Sequence, residues 1–189
     1  MTDDDRAPAG GPARGGRIAP TCSLRPETAA DHEAIRQVNC RAFGGDAEAR
    51  LVDALREGGH VRASLVAEEG GHVVGHVLFS HLPLVTGGGM VPGLALAPLA
   101  VLPELQGRGI GSALVRRGLE VCKEQGHRVV VVLGHPPFYQ RFGFSAQLAA
   151  RLEAPYSGRE SFLAVELVPG ALDGITGRVV YPPPFNAWS

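Results

Sequence analysis

The spacing of apolar residues changes period along the chain, and the changes mark out its elements. Ile35, Val38 and Ala42 recur three to four positions apart, which puts them on one helical face. They predict a helix over 29–43 that starts at Thr28 or Asp31 and ends at Gly44-Gly45. Asp46 opens a second helix over 47–57, with Leu51, Val52, Ala54 and Leu55 on its buried side and Gly58-Gly59 after it. The pattern then turns to strands. Segments 63–69 and 72–84 flank Gly70-Gly71, a hairpin signal. Three glycines at 87–89 make a second turn before a small-residue apolar strand over 93–101.

Helical spacing returns over 109–125, where Ile110, Ala113, Leu114 and Val121 form a stripe and Gly126 sits near the C-terminal cap. The run VVVVL within 128–133 has no polar alternation, as expected of a strand buried on both faces. A helical turn over 138–141 ends before Gly143, and strands are expected over 162–168 and 178–181. A first strand over 22–25, stopped by Pro26, completes the order: strand, two helices, three strands, helix, strand, short helix, strands. That alternation predicts a mixed α/β layer architecture.

Composition adds three points. Glycine and proline are abundant (26 and 15 of 189 residues) and aromatics are scarce at 6%, so tight turns and a small-residue core are expected. Residues 1–20 hold almost nothing to bury and read as a disordered tail. The formal charge of −1 argues against a general nucleic-acid or anionic-membrane binder, without excluding a local site for a small anion. Three widely spaced cysteines, Cys22, Cys40 and Cys122, carry no zinc or disulfide spacing, and neither a secretory leader nor a membrane-length apolar run is seen. A reducing cytoplasm is the expected location, and no metal is expected.

The most informative stretch runs from Leu99 to Ser112. A small apolar strand enters a loop with glycines at 107, 109 and 111, and a helix begins inside that loop. The first amides of a helix have no intrahelical acceptor and sit at the positive end of its dipole. Glycine lets an anion approach them, and Arg108 adds charge. The chemistry points to phosphate or pyrophosphate. The lysine of a P-loop is missing, and Gly107-x-Gly109-x-Gly111 lacks the spacing of the dinucleotide fingerprint.

Gln106-x-x-Gly109-x-Gly111 after that strand resembles the acyl-CoA signature of the GCN5-related N-acetyltransferases. The block from His135 to Phe144, directly after the VVVVL strand, is similar to the family's second segment, an aromatic-Tyr-x-x-x-Gly-Phe pattern. The likeness spans about residues 21 to 168. It is closest in pattern to a small bacterial subgroup with Leu-Ala-Val-x-Pro before the turn and Phe-Tyr-x-Arg-Phe-Gly-Phe after the next strand. A domain over 21–170 is therefore expected, followed by a C-terminal strand and proline-rich tail over 171–189.

The resemblance implies a central, mostly antiparallel mixed sheet, flanked by helices, whose fourth and fifth strands splay apart around acetyl-CoA. It implies that Leu99, Ala100 and Val101 pair their backbone with the pantetheine arm. Gln106, Gly107, Arg108, Gly109, Ile110, Gly111 and Ser112 form the pyrophosphate turn, and Phe138 flanks it. Tyr139 falls where the family places the acid that protonates the departing thiolate; its alternative is a packing aromatic.

The resemblance implies an amine acceptor, a small molecule or a peptide, and that amine must first lose a proton. With a pKa near 10.4, only about 0.04% is neutral at pH 7, a cost of roughly 4.6 kcal/mol. His135, at the mouth of the expected opening, is a candidate base or a loop-capping residue. Glu48, opening the second helix, would attract an ammonium or simply complement the helix dipole. His76 would line the cleft or be a satisfied sheet residue. The tail with Trp188 would close the acceptor site or pack on a neighbouring subunit of a homodimer; a monomer is equally compatible. A CoA-sensing module without catalysis, or a nucleotide binder using the same turn, are the other readings of the glycine motif.

Overall fold

The computed structural model describes residues 22–155 and 158–188; the expected tail over 1–20 lies outside them. Among the described residues, eight strands form one sheet: β1 (Ser23–Pro26), β2 (Val61–Glu69), β3 (His72–Thr86), β4 (Gly89–Val101), β5 (Val129–Leu133), β6 (Leu152–Glu153), β7 (Phe162–Glu166) and β8 (Gly177–Val179). The main order is β1-β2-β3-β4-β5-β7, and β8 pairs with the far end of β3 and with β6. All pairings are antiparallel except β4–β5 and β6–β8. Helices α1 (His32–Phe43) and α2 (Ala47–Glu57) cover one face, and α3 (Ile110–Glu124) packs against β2 and β3 on the other. Short helices α4 (Pro136–Tyr139) and α5 (Ala146–Ala149) follow β5.

Each face has its own core. Phe79, Leu94, Leu114 and Leu163 anchor the α3 side; Ile35, Leu55, Leu78 and Leu82 anchor the α1/α2 side. The VVVVL strand contributes to both, with Val130 and Val132 facing one core and Val129 and Val131 the other. That double burial is why its sequence shows no polar alternation. Helix α3 comes very close to β3: a Cβ on Gly118 would lie 2.3 Å from Phe79 Cε2. Cys122 is fully buried on the same helix, and burial pushes its thiol up to about 12.

Several boundaries differ from expectation for local reasons. Residues 29–31 form a 3-10 turn before α1, with Thr28 and Asp31 in a reciprocal capping box. Pro26 pairs with Leu65 rather than ending the strand before it, since an edge position tolerates proline. Asp46 precedes α2 without a side-chain cap bond. Strand β4 begins at Gly89, not Gly93, because residues 89–92 keep pairing with β3. Gly109, at φ +89°, is the N-terminal cap of α3, which starts at Ile110. The helical turn expected over 138–141 begins earlier, at Pro136, and continues as a 3-10 turn over Gln140–Phe142. The expected terminal strands shorten to Phe162–Glu166 and Gly177–Val179.

A buried polar chain fixes α1 and α2 to the sheet. Asn39 Nδ2 donates to Ile35 O at 2.9 Å and lies 3.2 Å from His76 Nδ1; His76 Nε2 lies 2.9 Å from Ser64 Oγ. Ser64 donates to Glu27, which takes two bonds from Arg56 of α2. His76 is therefore the satisfied sheet residue, fully buried, and burial pushes its imidazole below its usual range. Burial alone would raise Glu27, but contacts from His76, Arg56 and Ser64 hold it well below the usual carboxylate range. Bonds from Arg25, against a smaller opposing effect of burial, hold Asp31 low as well. No helix among the described residues is long and apolar enough to cross a membrane.

Candidate active site

The site begins where β4 and β5 separate. Parallel pairing covers only Leu94 with Val130 and Ala95 with Val131. Beyond Ala95, β4 steps three residues from Leu96 to Leu99 while β3 steps two from Phe79 to Val77, a β-bulge around Ala97 and Pro98. A bulge bends and twists its strand, and here it carries β4 away from β5. The Ala97–Pro98 peptide is cis. Leu99, Ala100 and Val101 keep their pairing to β3, so their other edge faces the opening rather than a neighbouring strand. An open strand edge offers backbone groups to an extended ligand. Leu99 lines the opening, whereas the Ala100 side chain is buried.

At the end of β4 the chain makes the glycine turn. Gly107 and Gly109 have φ of +76° and +89°, a region L residues rarely enter. The first helical bond of α3 runs from Ala113 N to Gly109 O at 3.0 Å, leaving the amides of Ile110, Gly111 and Ser112 without intrahelical acceptors. Ile110 contributes by its amide alone, since its side chain is buried in the core. Gly111 lies beside Leu99: a Cβ there would stand 3.6–3.9 Å from Val101, Phe138 and Leu99. Gln106 braces the turn by donating to Val101 O at 3.0 Å. Arg108 is exposed and pairs with Glu69 at 2.9 Å. The open edge, the positive-φ glycines and the three free helix amides fit an extended ligand ending in a pyrophosphate.

The sequence reading passed over Arg141. Its Nη2 donates to Ser112 Oγ at 3.3 Å, and its guanidinium lies over Phe138 at 4.7 Å and Phe142 at 5.5 Å. Stacked this way, it brings a positive charge beside the helix terminus. Its Phe-Tyr-x-Arg-Phe context was the signal available.

A cavity of about 460 Å³ continues from the splay. Tyr139 lines it with 8% of its surface exposed, held edge-on by Phe138 at 4.9 Å and Phe144 at 5.5 Å between ring centroids. Its ring lies against Gly134, where a Cβ would come within 2.3 Å of Cε2. Burial pushes the Tyr139 phenol up to about 12. His135 and Glu48 line the same cavity, so the three residues singled out for acid, base and ammonium chemistry come together. His135 is exposed, and its carbonyl accepts the amides of Phe138 and Tyr139 at the start of α4.

Other walls had no legible signal. Phe43 ends α1, Leu51 lies on α2, and Arg159 sits in the loop before β7. Tyr181 and Phe185 come from the C-terminal segment, which turns back over α2, with their ring centroids 5.1 Å apart. The C-terminal segment therefore contributes a wall of the cavity; the expectation for the Trp188 side chain lies outside what is described.

Residues 23–146 match the family model of the acetyltransferase (GNAT) domain. The chain is 39% identical over 165 residues to the uncharacterised N-acetyltransferase YhbS of Escherichia coli K12, covering 86% of this chain and 98% of that protein. It is 45% identical over 118 residues to the uncharacterised N-acetyltransferase YjhQ of the same organism, covering 60% and 64%. The crystal structure of E. coli YhbS in complex with CoA superposes with a TM-score of 0.81 at 38% identity, covering 89% of this chain and 93% of that one. A GNAT acetyltransferase from Brucella melitensis in complex with acetyl-CoA gives 0.71 at 36% identity, covering 87% and 97%. The splayed strands, the glycine turn and these relatives together show that the chain belongs to the GNAT family of N-acetyltransferases.

Proposed function

We propose that this protein is a cytoplasmic enzyme that moves an acyl group, acetyl foremost, from its CoA thioester to a primary amine by direct attack within one cleft. The carrying observation is that one cavity, lined by β4 as far as Leu99, holds Tyr139, His135 and Glu48, while Gly111 at the start of α3 lies beside the same Leu99. The CoA and acetyl-CoA bound to the two structural relatives support the donor. The free thiols of Cys22, Cys40 and Cys122 suit a reducing compartment.

When bound, acetyl-CoA supplies an activated thioester. The amides of Ile110, Gly111 and Ser112 hold its pyrophosphate, with Arg141 and Arg108 adding charge. The β4 edge at Leu99–Val101 aligns the pantetheine arm. His135 receives the proton the amine must lose, directly or through water. The nitrogen lone pair then forms the new C–N bond, the C–S bond breaks, and its electron pair leaves on sulfur. Tyr139, protonated throughout the physiological range, donates a hydrogen bond to that sulfur. A phenol near 12 is a weaker acid than a thiol near 8.5. Its main contribution is therefore stabilisation of the developing thiolate in a dry site, and the thiolate's final proton comes from the amine side or solvent.

Calorimetric titration with acetyl-CoA, desulfo-CoA and ATP tests the donor reading. Binding of both CoA compounds and not ATP is expected; binding of ATP alone, or of nothing, overturns it. Tyr139→Phe should lower kcat by roughly a hundred-fold or more while changing acetyl-CoA affinity less than three-fold. Unchanged turnover across pH would remove Tyr139 from the mechanism.

A further inference from the structure

We infer that the acceptor half of the cleft is built for a small primary amine on an apolar chain or ring, with its ammonium on Glu48 and its body against Phe43, Leu51, Tyr181 and Phe185. This rests on the acyl-transfer reading of the same cleft. Among the described residues Glu48 is the only carboxylate on the cavity wall. It stands half-buried in the first turn of α2 and makes no hydrogen bond or ion pair with the described residues. The neighbouring acids are committed: Glu27 and Asp53 to Arg56, Asp31 to Arg25, Asp46 to Arg50. Helix-dipole complementarity accounts for an acid in that turn, but not for one lining a largely apolar cavity with no ion-pair partner among the described residues.

The rest of the wall favours hydrocarbon. Phe43 lines the cavity and is 46% exposed overall, an aromatic surface that an apolar ligand would help to cover. Tyr181 and Phe185 add aromatic surface to the wall, from the segment that packs on α2. The volume of about 460 Å³ lies in the small-molecule range and must also admit the acyl end of the donor. Arg159, on the same wall and engaged in contacts of its own, disfavours a second ammonium. A polyamine would place its second charge on apolar surface, where it would be desolvated without a partner.

The test is calorimetric binding of n-alkylamines from propyl to hexyl, phenethylamine, spermidine and a lysine peptide to the protein saturated with CoA, alongside thiol release from acetyl-CoA. Kd should fall roughly four-fold for each added methylene, the value of one buried CH₂, with phenethylamine binding tighter than spermidine or the peptide. Glu48→Gln should raise Kd across the series by roughly ten-fold or more, as expected for loss of a charge-assisted contact. Phe185→Leu should reduce the gain per methylene. A flat series, tighter binding of spermidine or peptide, or no effect of Glu48→Gln overturns the inference. If CoA itself does not bind, both the inference and the transfer reading fail. If CoA binds and the series is flat, the inference alone falls. Amine binding in the expected order without thiol release supports the inference and overturns the transfer.

Discussion

Gly134→Ala tests how Tyr139 is placed without removing any group from the site. The new Cβ would stand 2.3 Å from Tyr139 Cε2, 2.9 Å from Cδ2 and 3.3 Å from Cζ. Carbon atoms settle no closer than about 3.5 Å, so the ring must retreat by about 1.2 Å. Phe138 and Phe144 hold two of its sides, and Gly134 N is fixed to Ser161 O at 2.9 Å. The ring therefore moves toward the cavity and takes its hydroxyl with it. Displacement of about 1 Å at a reacting group can cost roughly a hundred-fold in rate, and that loss in kcat is expected. With the donor held at the glycine turn as proposed, acetyl-CoA affinity should change less than three-fold. Overpacking should also lower stability by roughly 1–3 kcal/mol. The assay is steady-state thiol release with the best acceptor of the amine series, with calorimetry for the donor and thermal unfolding to confirm the fold. The decisive control places Gly134→Ala on Tyr139→Phe. Without the hydroxyl, the added methyl should cost under four-fold, because both changes remove the same interaction. A full hundred-fold loss in that background, or near-parental turnover in the single variant, would refute the reasoning.

Three further outcomes are expected. Gly109→Ala and Gly126→Ala both force alanine into left-handed backbone (φ +89° and +84°) and should each cost roughly 1–2 kcal/mol of stability; only Gly109→Ala should also weaken acetyl-CoA binding, as read by calorimetry. Gly118→Ala, whose Cβ would lie 2.3 Å from Phe79, should destabilise by roughly 1–3 kcal/mol in denaturant unfolding and recover when combined with Phe79→Leu. Glu27 and Asp31 have folded pKa values below their unfolded ones, so their contribution is present above the unfolded values near 4 and lost as pH falls below them. Unfolding measured from pH 7 to pH 3 should show this loss, and Asp31→Asn should reduce it.

Much of the fold was readable because its signals are local. Helical spacing over 29–43 and 110–124, the Gly70-Gly71 hairpin and the unbroken valine run each reflect side chains that meet neighbours a few residues away or lie in a uniformly apolar setting. The glycine turn was readable for the same reason: positive φ at Gly107 and Gly109 and the free amides of one helix end are properties of a single short segment. The four-residue α5 and two-residue β6 escaped, since so few positions carry no period.

The site divides along the same line. The amino-acid order marked the glycine turn as a candidate phosphate site and His135 as a candidate base from local context, and the family resemblance singled out the Tyr139 block and the place of Glu48. Only the tertiary structure decided that Glu48 and His135, 87 positions apart in the sequence, line one cavity with Tyr139. It alone also brought Arg141 to Ser112, settled His76 into a buried chain of bonds, and folded Tyr181 and Phe185 over α2. The proposed donor half is built from one strand, one turn and one helix end that are continuous in the chain. The proposed acceptor half is assembled from α1, α2, the loop before β7 and the C-terminal segment, whose apolar surfaces meet only when the sheet gathers them; that burial is non-directional and leaves no motif behind.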